Sequence, residues 1–275
     1  MSNQILVLGG TGKTGKRVAE RLTKLNLPVR IASRNTSPAF DWNNPSTWTV
    51  VLKGIQKVYI SFQPDLAIPG SADVIRSLAE AAKKAGVQKL VLLSGRGEEE
   101  AQACEKIVME SGLDWSIVRA SWFMQNFSEG FFLDSVLSGH VILPKGSAPE
   151  PFIDADDIAD VAVSALTNHI HSKKLYDITG PELLTFKDIF AGISAAIGRP
   201  ITYEEVSMEE YVDLLKEYQV PDDYIWLIKY LFTEIFDGRN ESLTNDIENA
   251  LGRKPTSFKS YVDKTKKTGI WNSIN

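Results

Sequence analysis

Near the start of the chain, LGGTGKTGKRVAERL from Leu8 has the residue types of a phosphate seat. Gly9, Gly12 and Gly15 are spaced three apart, directly after the apolar run Gln4 to Leu8 and directly before an amphipathic segment. That context is what gives the glycine pattern meaning. Gly9 suits the tight turn off a strand. Gly12 leaves the backbone bare where a pyrophosphate would approach. Gly15 lets the following helix lie close to the sheet. The helix then aims its unpaired N–H groups and positive dipole end at the phosphate. Thr11 and Thr14 can add hydroxyl donors and Lys13 a cation. Four glycines in seven residues, Gly10 included, is a costly composition for a plain turn, which is the alternative reading. A P-loop does not fit, because Lys16 and Arg17 follow Gly15 and no Ser or Thr stands ready for magnesium.

A second signal lies at the end of the next apolar run, Pro28 to Ser33. The residues Ala32-Ser33-Arg34-Asn35 include no acid to hold a ribose 2′-OH. Arg34 can pair with a 2′-phosphate instead, with Ser33 adding a hydroxyl and Lys13 further charge. NADP(H) is therefore expected over NAD(H). The alternative is that Arg34 is an ordinary surface cation.

These groups need a scaffold, and the hydrophobic pattern supplies one. Strands are expected at Gln4–Leu8, Pro28–Ser33, Gln56–Ser61, Lys89–Ser94 and Asp114–Val118. Helices are expected from Lys13, briefly at Pro45–Lys53, and at Ser71–Ala85 and Glu98–Ser111. Short apolar strands alternating with amphipathic helices give an α/β fold with a doubly wound parallel sheet and right-handed crossovers. After Arg119 the alternation weakens. Ser121–Leu137 reads as helical and aromatic-rich, Val141–Leu143 as a short strand, Asp154–Thr167 as a helix and Lys174–Thr179 as a strand. Further helices fall around Phe186–Ile197, Met208–Tyr218, Asp222–Phe236 and Ser257–Thr268. The division expected is residues 1–158 for the nucleotide-binding domain and 159–275 for a smaller, mostly helical lobe, with a soft boundary.

The segments LGGTGKTGKRVAERL, VRIASR, KLVLLSG, SGLDWSIVRASWFMQNF and PFIDADDIADVA together resemble an atypical short-chain dehydrogenase/reductase of the NmrA-like group. SGRGEEEAQACEK with SGLDWSIVRASWFMQNFSE also resembles bacterial relatives of the ergot-alkaloid-pathway reductases. The resemblance implies a Rossmann-type NAD(P)-binding domain with a small C-terminal substrate lobe over a cleft. It implies that the nicotinamide half of the cofactor runs past Phe62, Gln63 and Pro64, past Ser94 and Gly95, and past Ala120 to Phe123. Asp41 and Trp42 fall where such folds place the adenine.

Better-known members of that superfamily carry Tyr-x-x-x-Lys on the helix after the fourth strand, where the Tyr handles the substrate proton. Here Lys106 stands in the place of the Lys, but the residue four before it is Gln102, which cannot titrate. No Tyr occurs between Tyr59 and Tyr176. Lys106 is the catalytic candidate, a solvated surface lysine being the equal alternative. Ordinary ketone reduction is then disfavoured, while hydride transfer to a quinone, imine, flavin-like or azo acceptor remains open. Trp122, Phe123 and Asn126 are candidates for the substrate pocket, with core packing as the alternative. The aromatic group Tyr224, Trp226, Tyr230, Phe232 and Phe236 reads as core. Cys104 falls on an apolar stripe and reads as core. Glu98 to Glu100 read as dipole partners of their helix. Asp154, Asp156 and Asp157 read as capping residues rather than a metal site, and His169 and His171 as solvent-facing.

The chain has 275 residues, net charge −5 and one cysteine. No basic stretch suggests nucleic acid, and no apolar run is long enough for a membrane helix. No metal, no signal peptide and a cytoplasmic setting are expected, with the protein a monomer or homodimer acting on a small molecule. A second reading is an NADP(H)-binding redox sensor with little turnover, which would need a protein partner.

Overall fold

The computed structural model describes residues 4–145 and 148–272. In chain order the elements begin with β1 (Gln4–Leu8), α1 (Lys13–Lys24), β2 (Val29–Ala32), α2 (Trp48–Leu52), β3 (Ile55–Ile60) and α3 (Ser71–Lys84). There follow β4 (Lys89–Gly95), α4 (Glu99–Glu110), β5 (Asp114–Ala120), α5 (Leu133–Ser138), β6 (His140–Pro144), α6 (Ala155–Thr167) and β7 (Lys174–Ile178). The last are α7 (Phe186–Ile197), β8 (Thr202–Val206), α8 (Met208–Glu217), α9 (Asp222–Tyr230), α10 (Asp246–Leu251) and α11 (Phe258–Lys266).

The chain forms two compact units, and they interlace along the sequence. The first takes residues 1–120, 155–178 and 244–254; the second takes 121–154, 179–243 and 255–275. The first unit is a six-stranded parallel sheet in the order β2-β1-β3-β4-β5-β7. Strand side chains alternate between its faces. Leu6 and Leu8 of β1, Val58 and Ile60 of β3, and Leu90 and Leu92 of β4 share one core with Ile75 and Leu78 of α3 and Cys104 and Val108 of α4. On another part of the unit α6 is tied through ions to α1 and to the residues after α10. Arg21 bonds Asp156 at 2.8 Å and Asp160 at 2.5 Å, and Arg253 bonds Asp157 at 2.7 Å. Asp156 and Asp157 thus tie α6 to other segments of the unit.

The second unit has a two-stranded parallel sheet, β6 with β8, and an aromatic core. Phe127 stacks on Phe132 with ring centroids 5.1 Å apart and meets Phe190 edge-on at 5.4 Å. The Trp271 indole donates to the Phe127 carbonyl at 2.8 Å, anchoring the end of the described chain. Among the described residues no helix is long and apolar enough to cross a membrane.

Several segments depart from the sequence reading. Ser121–Leu137 is not one helix. Phe123 forms a parallel bridge with Ile153, held by Met124 N–H to Ile153 O and Ile153 N–H to Trp122 O, both 2.8 Å. Helix follows only as a 3-10 turn at Met124–Phe127 and then α5. The hydrophobic period misleads there because the aromatics satisfy a tertiary cluster, not a helix face. Strand β8, which pairs along polar positions, and the short α10 escape the reading. Tyr224 and Trp226 are exposed, unlike the buried Phe232 and Phe236, so the later aromatic group is only partly core.

His171 is buried, not solvent-facing. Its ring nitrogens meet Tyr176 Oη at 2.6 Å and Ser164 Oγ at 2.7 Å. Burial first, and the Lys89 charge second, lower its pKa below the usual value. A depressed histidine stabilises the fold above its unfolded pKa of about 6.5, and that contribution is lost as pH falls through the folded value. Urea midpoints should therefore fall between about pH 7.5 and about pH 5. His171→Gln should flatten part of that fall; an unchanged slope would place it elsewhere.

Candidate functional site

Doubly wound sheets take ligands at the carboxyl ends of their strands, where the chain's direction of winding reverses. In the first unit that point lies between β1 and β3, since β2 lies to one side of β1 and β3 to β5 continue on the other. The glycine loop leaves β1 there, and Phe62-Gln63-Pro64 leaves β3 beside it.

Each glycine has a steric reason. Gly9 takes φ +69°, and a methyl there would meet the Ser61 carbonyl oxygen at 2.7 Å. A methyl on Gly15 would lie 2.2 Å from the Gly9 carbonyl oxygen, so α1 can start against the turn only with glycine at that position. Gly12 differs. Its nearest neighbours would be Gly9 O at 3.3 Å and Gln63 Nε2 at 3.6 Å. Gly15 is closed by protein, while Gly12 is open except for the side chain of Gln63. Gly12 is also the N-cap of α1 and offers no capping side chain. Helices α3, α4 and α6 each carry an acid in their first turn, whereas α1 carries none. An anion at that end would meet the positive end of the helix dipole. The residues present fit a dinucleotide pyrophosphate.

The other expected site residues divide. Thr11 is exposed and Lys13 half-buried at the loop, both within reach of solvent. Thr14 is buried with its side chain beside the Tyr59 phenol. Ser33 follows β2, and its carbonyl gathers the N–H groups of Thr36 (3.3 Å) and Phe40 (2.9 Å) and the Thr36 hydroxyl (2.9 Å). Its own hydroxyl accepts from Asn35 N–H at 3.3 Å. This tight turn presents Arg34 exposed, and no described residue bonds its guanidinium. Trp42 is half-buried in an aromatic group, 4.7 Å from both Phe40 and Phe62 by ring centroid. Asp41 is bound into the same turn, its carbonyl accepting from the Trp48 indole at 2.8 Å.

At the end of β4, Ser94 is buried and spends its hydroxyl on Glu105 Oε1 at 2.7 Å. Arg119 of β5 completes that group, with Nε to Oε1 at 2.8 Å and Nη2 to Oε2 at 2.5 Å. The sequence reading passed over Glu105 and Arg119. The signal was a charge on each of two apolar patterns, Glu105 beside Cys104 on the packed stripe of α4 and Arg119 in a buried strand. Lys106 is exposed on α4 with Glu99 and Gln102 near the same side. Cys104 is buried against Ser71 Oγ at 3.3 Å, and burial pushes its thiol up to about 11. It is a core thiol.

Glu98 is not a simple dipole partner. It is buried, and its carboxyl lies on Gly95, where a methyl would come within 2.3 Å of it. Among the described residues no group of three or more His, Cys, Asp or Glu could hold a metal.

In the second unit, Trp122 is half-buried, 4.6 Å from Phe236 and 5.9 Å from Phe186 by ring centroid. Phe123 and Asn126 are half-buried beside it in sequence.

Gly12 and Gly15 separate binding from folding. Gly15→Ala should cost roughly 1–3 kcal/mol through overpacking. Gly12→Ala should cost about 1 kcal/mol or less as a changed cap. Denaturant unfolding checks both. Gly12→Ala should still lose tenfold or more in dinucleotide affinity by calorimetry, and retained affinity would remove the seat.

Comparisons with known proteins agree with this geometry. The family model for NAD(P)H-binding proteins matches residues 9–169. An uncharacterized oxidoreductase, YesF, of Bacillus subtilis (strain 168) is 30% identical over 94% of this chain and 94% of its own. An NAD(P)H azoreductase of Xenophilus azovorans is 28% identical over 94% of this chain and 96% of its own. The solved structure of a Citrobacter sp. triphenylmethane reductase complexed with NADP(H) matches with a TM-score of 0.79 at 21% identity, covering 95% of this chain and 99% of that one. That likeness is one of fold. A glycine seat at the winding reversal, sterically required at Gly9 and Gly15 and open at Gly12, lies within the matched residues, and the chain belongs to the NAD(P)H-binding family, in its NmrA-like, atypical short-chain dehydrogenase branch.

Proposed function

We propose that this NAD(P)H-dependent oxidoreductase prefers NADPH and reduces a small conjugated organic acceptor, such as a quinone, imine or azo compound, without a tyrosine acid. The observation that carries the reading is the open, acid-free seat at Gly12 on the first turn of α1. The Gly12 backbone and the first N–H groups of α1 would hold the pyrophosphate, with Thr11 and Lys13 beside them. Arg34 would pair with the 2′-phosphate, and Ser33 would hold the turn that presents it. The preference is supported by an exposed guanidinium that no described residue engages, at the end of a strand with no acid. Bound NADPH would supply the hydride.

The acceptor class is supported by what the helix after β4 lacks. Position 102 is Gln and Lys106 is exposed, so no Tyr–Lys pair can protonate an alkoxide there. An acceptor that is already electron-poor depends mainly on being held flat and dry. Trp122, Phe123 and Asn126 are assigned to its wall, with aromatic faces for stacking and one amide for orientation. The azoreductase relative, by its name, acts on an acceptor of this kind. One cysteine, kept as a thiol in the core, accords with a reducing, cytoplasmic setting.

Calorimetric titration of nucleotide-free protein with NADPH and NADH tests the cofactor, and NADPH oxidation across a panel of quinones, imines and azo dyes tests the reaction. Arg34→Ala should weaken NADPH binding by roughly 1–3 kcal/mol, the scale of a charge-assisted contact, and leave NADH binding unchanged. Equal loss for both would overturn the 2′-phosphate role. Tight NADPH binding with no turnover across the panel would favour the redox-sensor reading instead.

A further inference from the structure

Reduction needs a proton as well as a hydride, and the expected tyrosine is missing. A different acid stands at the same rim of the sheet. Gly95 ends β4, and Glu98 turns its carboxyl back onto it; a methyl on Gly95 would lie 2.2 Å from Glu98 Oε2 and 2.3 Å from Oε1. Asp65 belongs to the loop that leaves β3, two residues beyond Gln63, whose amide reaches toward Gly12. The carboxyls of Asp65 and Glu98 lie side by side, and burial is the largest cause raising both above the usual carboxyl range. Two carboxylates so close and so shielded from water are costly, which favours a single proton on the pair. Backbone N–H groups bear on which holds it. Ala67 N–H donates to Asp65 Oδ1 at 2.9 Å, and Leu66 N–H also faces Asp65. Those donors pull Asp65 down against its burial, which favours Glu98 as the carboxyl that carries the proton.

The surroundings keep it there. Burial is the largest cause raising Glu98 well above the usual carboxyl range, followed by the Asp65 charge and then the Glu105 charge. Glu105, on α4, is itself neutralised by Arg119 of β5 at 2.5 Å. Arg96, two residues before Glu98, pairs with Asp177 of β7 at 3.0 Å. Lys106 of α4 is exposed. The pair therefore lies between the loops that follow β3 and β4, with Glu98 disposed to hold a proton.

We infer that Glu98, its carboxyl turned onto the end of β4 beside Asp65, is the acid that gives the acceptor its proton. This rests on the hydride-transfer reading above. The acceptor gains two electrons and one hydrogen as hydride from the dihydronicotinamide, which becomes the oxidised nicotinamide. The Glu98 O–H bond breaks, and an O–H or N–H bond forms on the acceptor's heteroatom. The pair is left as two carboxylates. Burial disfavours that state, so Glu98 takes a proton from water and the pair is reset.

The test combines infrared spectroscopy of the cofactor-free protein with turnover of an azo dye by the full chain and NADPH. Wild type should show a protonated-carboxyl carbonyl band at neutral pH that Glu98→Gln removes. Glu98→Gln should bind NADPH within about twofold of wild type and lose roughly 10²-fold in turnover, the scale of general acid catalysis. Asp65→Asn keeps the size and polarity of the neighbour but removes its charge. The alkaline limb of its pH–rate profile should move to lower pH, which a merely structural clasp would not do. A missing band in wild type, or Glu98→Gln turnover within twofold of wild type, overturns the inference alone. If Glu98→Gln does not fold, an unmoved limb in Asp65→Asn overturns it. A wild type that binds NADPH but reduces no acceptor sinks the inference together with the reading it rests on.

Discussion

Where α1 leaves its turn, a methyl group on Gly15 would lie 2.2 Å from the carbonyl oxygen of Gly9. That close approach of helix to turn is the constraint on which the rest of the site depends. It fixes where the helix begins and which way its first N–H groups point. It also keeps Gly9 against Ser61, so that the ends of β1 and β3 stay side by side at the winding reversal. A loop that fits a dinucleotide pyrophosphate is then a by-product of packing. Once the strand, turn and helix close this tightly, an anion would bind at no further conformational cost to the backbone.

A second economy concerns buried charge. Glu105 is 2% exposed, and leaving a carboxylate there unpaired would be strongly destabilising. Arg119 meets it with two bonds and Ser94 with a third. The network joins α4 to the ends of β4 and β5. Glu98 solves the same problem differently. It has Asp65 rather than a cation beside it, and burial together with that charge raises its pKa well above the usual carboxyl range. Two glutamates seven residues apart thus sit in opposite surroundings, one facing a guanidinium and the other a carboxylate.

The alternation of strand and helix over the first 120 residues could be read from the sequence because each element carries its own period there. The glycine loop was legible for the same reason, its spacing being set by local contacts among Gly9, Gly12 and Gly15. Arg34 was legible as a position at a strand end, and the loss of the tyrosine was legible outright. The segment after β5 was not. Trp122, Phe127, Phe132 and Phe186 answer to one another across the chain, and a cluster assembled from distant segments leaves no period in any of them.

The sequence by itself determined the parallel α/β domain, the glycine spacing of the strand-to-helix turn and the absence of a Tyr four residues before Lys106. These follow from residues that act on near neighbours in the chain. Only the tertiary structure decided that the two units interlace, that His171 is buried and that Lys106 lies exposed. It alone paired Glu105 with Arg119 and Glu98 with Asp65. Burial and ionisation depend on which residues meet through space. A carboxyl reads the same in a sequence whether its partner is water, an arginine or another carboxyl, and its chemistry is different in each case.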